Sequence, residues 1–267
     1  MTSLDNSPES VWLSAAREAA SVAAAFIAER ATSRHELVWE EKTAIDFVST
    51  VDIGSEERIR DILTARLPDI RIVGEELGPA GDTSQGFVAI VDPLDGTTNF
   101  LHGFPAYCVS IGIAVDGIPR VAVVHDVARG GVYWAVAGHG AWRDETPIRV
   151  STIDRPARAL IGTGFPFKDL TLAAEYVTQL STLMPLVSGM RRAGAAALDL
   201  CDVANGRFEG FWELHLAPWD VAAGLLIVRE AGGRATDLEG QDALLTHGPL
   251  VASNGIMHEW LLQRLTS

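Results

Sequence analysis

Asp92-Pro93-Leu94-Asp95-Gly96-Thr97 follows directly on the apolar run Phe87-Val88-Ala89-Ile90-Val91. That run has the length and β-branched content of a buried strand, so it delivers two carboxylates, a backbone turn and a hydroxyl to a strand's end. Gly96 frees the backbone there, and Thr97-Thr98-Asn99 reads as the start of a short helix. Two acids three residues apart suit a hard cation such as Mg²⁺, and the amides of the turn suit a phosphate.

Working outward, the chain has 267 residues, enough for one thick domain or two intimate halves. Asp plus Glu number 35 against 21 Lys plus Arg, a formal charge of −14. Such a balance repels nucleic acid, and no basic cluster larger than Arg191-Arg192 interrupts it. An acidic protein that handles a phosphate needs divalent cations as intermediaries, although most of this charge reads as a solubilising surface. The apolar stretches are broken by Gly, Asp or Arg before the length of a membrane span, and no basic-then-apolar leader opens the chain. Both features predict a cytoplasmic protein without a membrane role. Cys108 and Cys201 sit in apolar surroundings in separate elements and read as packing thiols.

Pro8 opens an Ala-rich helix through about residue 31, in which Trp12, Ala15, Ala19, Ala23 and Ile27 recur at helical spacing. Residues 33–49, with Lys42 and Asp46, read either as a loop over the site or as a surface hairpin. A second helix is predicted over residues 54–67, stopped by Pro68, then a strand over 70–73, Gly74-Glu75-Glu76 and a loop to residue 86. Residues 108–136 read as an antiparallel meander with a turn at Asp116-Gly117. Beyond about residue 150 strands and helices alternate: strands over 159–163, 186–190, 207–213 and 250–253, helices over 170–183, 195–204, 218–231 and from 257. The chain therefore divides into an α+β half, residues 1–150, and an α/β half, residues 151–267, within one compact unit.

Four patterns now stand in order: the stretch from Asp46 to Asp52 with Thr50, Gly74-Glu75-Glu76, the run from Asp92 to Thr97, and Trp219-Asp220 at a helix start. Together they resemble the inositol monophosphatase family, lithium-sensitive Mg²⁺-dependent phosphatases. The Asp92 run matches the family's first signature, and Trp219-Asp220-Val221-Ala222-Ala223-Gly224 through Gly233 its second. The likeness extends over essentially the whole chain. It implies an αβαβα sandwich, a homodimer and a small phosphorylated polyol as substrate.

The resemblance also implies roles. Glu75, Asp92 and the carbonyl of Leu94 would hold a first Mg²⁺; Asp92, Asp95 and Asp220 a second; and a looser third would lie near Glu75. Electrostatics agrees, because Asp52, Glu75, Asp92, Asp95 and Asp220 cannot converge as five anions without cations. Thr97, with Asp52 behind it and Glu75 on the other side, would orient the attacking water, and which of them acts as base stays open. No Ser, His and Asp trio offers a protein nucleophile instead, and the histidines have no metal-ligand spacing. Taken alone, Thr97, Asp52 and Asp220 are also ordinary helix-start residues.

Phosphate oxygens would meet the N–H groups of Gly96 and Thr97, with Asp95 alongside. The polyol would lie against Gly194, Ala195 and Ala196 and against Glu213, which matches the family position accepting ring hydroxyls. Without the resemblance, a surface acid at position 213 is an equal reading, and Ala197 reads as helix packing. Residues 162–167 read as a structural loop near the site. The function expected is hydrolysis of inositol monophosphate or a related polyol phosphate. Histidinol-phosphatase, fructose-1,6-bisphosphatase and 3′-phosphoadenosine 5′-phosphate nucleotidase are alternatives within the enzyme class, and an interaction protein on this fold is the alternative outside it.

Overall fold

A computed structural model describes residues 7–34, 39–43, 46–78 and 81–267, with residues 39–43 and 46–48 given by backbone alone. Five layers stack. The outermost holds α1 (Pro8–Ala31) and α2 (Thr50–Arg66), which pack on a seven-stranded sheet. That sheet runs β3 (Arg71–Gly74), β4 (Phe87–Asp95), β5 (Cys108–Val115), β6 (Ile118–Asp126), β7 (Val132–Val136), β8 (Ala141–Arg143) and β9 (Thr146–Ile148) in spatial order. Only β3 and β4 pair in parallel; the rest form the predicted meander, extended by two short strands.

Alternation along β5 divides the core. Val109, Ile111 and Ile113 face α1 and α2, whereas Cys108 and Ala114 face the middle layer. The middle layer is α5 (Ala196–Ala204) and α6 (Pro218–Glu230). Behind it lies a mixed five-stranded sheet ordered β11 (Gly189–Arg191), β10 (Leu160–Thr163), β12 (Gly210–Leu216), β14 (Gly248–Ser253) and β13 (Arg234–Thr236). Phe211 of β12 faces the middle layer, while Trp212 faces α4 (Ala173–Leu183) and α7 (His258–Leu265) on the outside. The αβαβα order expected from the sequence is thus the order observed.

Several boundaries move for local reasons. The second helix begins at Thr50 rather than near Gly54, because Ser49 caps it: Ser49 N and Oγ donate to Asp52 Oδ2 at 2.9 and 2.6 Å, and Ser49 Oγ accepts from Val51 N. Residues 39–43 and 46–49 pair as a hairpin, β1 (Trp39–Thr43) with β2 (Asp46–Ser49); the side chains of Lys42 and Asp46 lie outside the described residues. The strand expected over 186–190 is the shorter Gly189–Arg191, and the one expected to end at Glu213 continues to Leu216. Contrary to expectation, α1 is by length and composition apolar enough to cross a membrane, since small alanines count as apolar and few charges interrupt them. Its Ala15, Ala16, Ala19, Ala20, Ala23 and Ile27 instead face the large sheet, with Trp12 against Phe87. Cys108 and Cys201 are buried free thiols.

Candidate active site

The acids of the opening run stand inside β4, at an irregularity of its pairing with β5. Asp92 opposes Ser110 and Asp95 opposes Cys108, so one fewer residue separates the pair on β5 than on β4. Pro93 is tolerated because it falls in this bulge, where no ladder hydrogen bond is required of it. The bulge turns both carboxylates toward the cavity, and Leu94 N closes a 3.0 Å hydrogen bond to Asp92 Oδ1. Gly96 follows with φ 92°; an added Cβ would stand 2.7 Å from the Ala106 carbonyl, so the turn admits no side chain. It leads into α3 (Thr97–His102).

Three other segments converge on that bulge. Glu75 leaves β3 with its N–H on the Val91 carbonyl at 3.3 Å, which sets it beside Asp92; Lys168 Nζ stands 3.6 Å from its Oε1. Asp220 occupies the first turn of α6 after Pro218, and Ala217 N donates to its Oδ2 at 2.6 Å. The start of α5 comes in over Asp95, whose Oδ2 accepts from Ala197 N at 2.8 Å and lies 3.7 Å from Cys108 Sγ. Ala197 is core packing as expected, and its backbone also holds a site carboxylate. Asn99 Nδ2 reaches the carbonyls of Ala106, Ala193 and Gly194 at 2.7 to 3.1 Å and ties the α5 entry to α3.

These segments enclose a cavity of about 370 Å³. Its wall contains Glu75, Asp92, Leu94, Asp95, Gly96, Thr97, Gly194, Ala195, Ala196, Glu213 and Asp220, each expected from the sequence. Asp52 stands one step behind, its buried Oδ1 accepting from Thr97 Oγ1 at 2.7 Å. Glu213 lies within β12, not at its end, and its carboxylate rests on the bare backbone of Gly164: a Cβ there would meet it at 1.9 Å. The wall also holds Lys168, His215, Phe165, Phe167 and Arg192. The Arg192 guanidinium sits 5.2 Å from each phenyl ring. The segment read as a structural loop is therefore part of the wall. No local signal in the sequence distinguished Lys168, Arg192 or His215, because each is brought in by a different segment.

The site is electrostatically strained in a way that fits cations. Burial, followed by repulsion from Glu75, Asp95 and Asp220, pushes the Asp92 carboxyl well up. Burial and the neighbouring Asp220 raise Asp95 to about 7, and burial with Asp220 raises Glu213 to about 8. Five acids facing one cavity, Glu75, Asp92, Asp95, Glu213 and Asp220, against Lys168 and the exposed Arg192 leave an anionic excess that divalent ions neutralise. Among the described residues no three His, Cys, Asp or Glu side chains are already drawn to one ligating point, and Asp92, Asp95 and Asp220 each lend one oxygen to a backbone N–H. The donor set, carboxylates plus a strand carbonyl, is nonetheless that of Mg²⁺ rather than of a soft metal.

Comparison with known proteins agrees with this chemistry. The family profile described as "Inositol monophosphatase family" matches residues 9–267. A putative Nus factor SuhB of Neisseria meningitidis is 46% identical over 80% of this chain and 82% of its own length. An inositol-1-monophosphatase of Synechocystis is 39% identical over 96% of this chain and 89% of its own. Among solved structures, the extragenic suppressor protein SuhB of Bartonella henselae superposes with a TM-score of 0.90 at 37% identity, covering 95% of this chain and 98% of its own. Two more distant neighbours carry ligands. SaIMPase-II, bound to inositol monophosphate, has a TM-score of 0.80 at 28% identity, covering 94% and 92% of the two chains. An IMPase/NADP phosphatase complexed with Mg²⁺ and phosphate has 0.78 at 25%, covering 87% of each.

Proposed function

Because the chain belongs to the inositol monophosphatase family, we propose that it is a Mg²⁺-dependent phosphomonoesterase acting on inositol monophosphate or a closely related polyol phosphate. The observation that carries this reading is the meeting of Glu75, Asp92, Asp95 and Asp220 around one cavity that Thr97 also lines, with Asp52 hydrogen-bonded behind it. Glu75, Asp92 and the Leu94 carbonyl would hold one ion, and Asp92, Asp95 and Asp220 another, with a third near Glu75. Mg²⁺, when bound, polarises phosphoryl oxygens and lowers the pKa of the attacking water.

The chain's own groups do the rest. Gly96 and Thr97 N–H groups receive phosphate oxygens at the turn into α3. Asp52 takes the Thr97 hydroxyl proton into a hydrogen bond, which leaves the Thr97 oxygen as acceptor for the water and aims it at phosphorus. Gly194, Ala195 and Ala196 give the polyol a close backbone surface, and Glu213 accepts its hydroxyls. Lithium inhibition and a homodimeric state belong to the same proposal.

Phosphate release is to be compared across inositol 1-phosphate, histidinol phosphate, fructose 1,6-bisphosphate and 3′-phosphoadenosine 5′-phosphate, with Asp95→Asn as control. The reading expects the polyol phosphate to be preferred and Asp95→Asn to lose orders of magnitude in turnover. Undiminished activity of that variant at saturating Mg²⁺ refutes the ligand assignment. A second, non-catalytic role is favoured by one observation, the 46% identity to a relative named a putative Nus factor. Pull-downs that are equal for wild type and Asp95→Asn would separate that role from turnover.

A further inference from the structure

On α2 three polar side chains, Asp52, Ser55 and Glu56, share a buried face with Val51, Ile59 and Leu63. Their spacing, i, i+3 and i+4, makes them one stripe. Two of them hold the end of β4 and the third holds the turn after β3. Asp52 accepts from Thr97; Ser55 Oγ donates to the Pro93 carbonyl at 2.8 Å; and Glu56, fully buried, accepts from Glu76 N at 2.8 Å through Oε2 and from Leu77 N at 3.2 Å through Oε1. Arg60, one turn on, donates from Nε to Glu56 Oε1 at 2.8 Å and completes an ion pair at 2.7 Å.

The fit is close enough to dictate sequence on the other side. Gly74 lies against this carboxylate, and a Cβ on it would stand 2.1 Å from Glu56 Oε1. An apolar side chain at position 56 would avoid the desolvation of a buried charge, so helix packing alone does not account for Glu56. What the acid supplies is directional: it anchors the two N–H groups immediately after Glu75, and so fixes the turn from which Glu75 meets Asp92.

We propose that Glu56, assisted by Ser55, is a positioning residue that sets the affinity of the metal site by fixing the 74–77 turn and the Pro93 carbonyl relative to each other. The proposal rests on the phosphatase reading for the identity of the ligands. Outer groups that orient ligands alter metal affinity about 10- to 100-fold when removed, while substrate contacts at saturating metal are left in place.

The test is a Mn²⁺ titration of the full chain followed by electron paramagnetic resonance, paired with kcat and KM for inositol 1-phosphate against Mg²⁺ and with thermal melts. Glu56→Gln is expected to weaken Mn²⁺ at least about tenfold, with kcat recovering as Mg²⁺ is raised and KM staying within about twofold. Gly74→Ala removes no polar group but drives the turn off Glu56, so it should show the same loss and decides the matter if Glu56→Gln does not fold. Ser55→Ala should follow in the same direction. Folded variants that melt lower yet bind Mn²⁺ like wild type would show a merely structural role and overturn the proposal. A wild-type chain that binds no Mn²⁺ would overturn the metal reading, and this proposal with it.

Discussion

Thr97 Oγ1 stands 2.7 Å from Asp52 Oδ1, a hydrogen bond that joins the turn after β4 to the first turn of α2. Asp52 is buried, and burial raises its carboxyl against the hydrogen bonds of Ser49 and Thr97 that lower it. Its second oxygen is occupied by the Ser49 N–H and hydroxyl, so the acid has one orientation, and its free oxygen at 2.7 Å is a shorter acceptor for the Thr97 proton than the Leu94 carbonyl at 3.1 Å. In the proposed mechanism, removal of either member would leave the water unaimed. Thr97→Val and Asp52→Asn should each lower kcat by roughly 10²–10³ with little change in KM. The double variant should cost little more than either single one, since the two act as a unit; additive losses would show two independent roles.

In the proposed function Glu213 reads substrate hydroxyls and does no chemistry. It lines the same cavity as Thr97, from the second sheet, with its carboxylate seated on Gly164. Glu213→Gln keeps the shape and loses the strongest acceptor, so KM for inositol 1-phosphate should rise roughly tenfold while kcat changes less. Steady-state kinetics at saturating Mg²⁺ checks this. A fall in kcat at constant KM would move the residue into the reacting shell.

The acids and the turn that line this cavity were legible in the sequence because their signals are local. An apolar run ending in Asp92 to Thr97 and a helix opening on Pro218 and Asp220 each carry their meaning within a few residues. The supporting shell is not local. Lys168, Arg192 and His215 reach the cavity from three separate segments, and Glu56 acts across the fold on residues 76 and 77. A signal for Glu56 did exist: an acid on the same helix face as the buried Ile59 and Leu63, one turn from Asp52, breaks the apolar pattern of a packed face. Strands β8, β9 and β13 escaped because three residues are too few to show a period. The late start expected for α2 has another cause: Asp52 reads as a helix-start residue, but Ser49, which completes the capping pair, is not singled out by the sequence.

Stability should depend on Mg²⁺ more strongly as pH rises. Asp95 is raised to about 7 and Asp92 well above its ordinary value, both chiefly by burial. A carboxyl whose folded pKa lies above its unfolded one favours the folded chain at low pH, and that contribution is lost as pH climbs from about 4 to about 7. Mg²⁺ held by the ionised acids, as proposed, would reverse the loss. Thermal melts with MgCl₂ and with EDTA should therefore differ little near about pH 5 and clearly near about pH 8. An equal shift at both would mean that these acids are not what the ion pairs with.

His258 gives the opposite pH dependence in a different place. It is fully buried at the start of α7, with Ser253 Oγ 2.9 Å from Nδ1 and Thr236 Oγ1 2.9 Å from Nε2. Thr236 donates its own proton to the Asp237 carbonyl, so it accepts from Nε2–H, and Nδ1 accepts from Ser253. The ring is thus neutral with both nitrogens used, and burial followed by repulsion from Arg234 lowers its pKa to about 4. A folded pKa below the unfolded value of about 6.5 contributes stability that is complete above about pH 6.5 and is lost as pH falls toward about 4, to a limit of about 3 kcal/mol. Urea unfolding of wild type and His258→Asn across that window isolates the effect from the carboxylates, which both chains share. The wild type should lose the more stability on acidification, closing the gap to the variant. A gap that stays constant from about pH 7 to about pH 4.5 would show that His258 takes up no proton on unfolding.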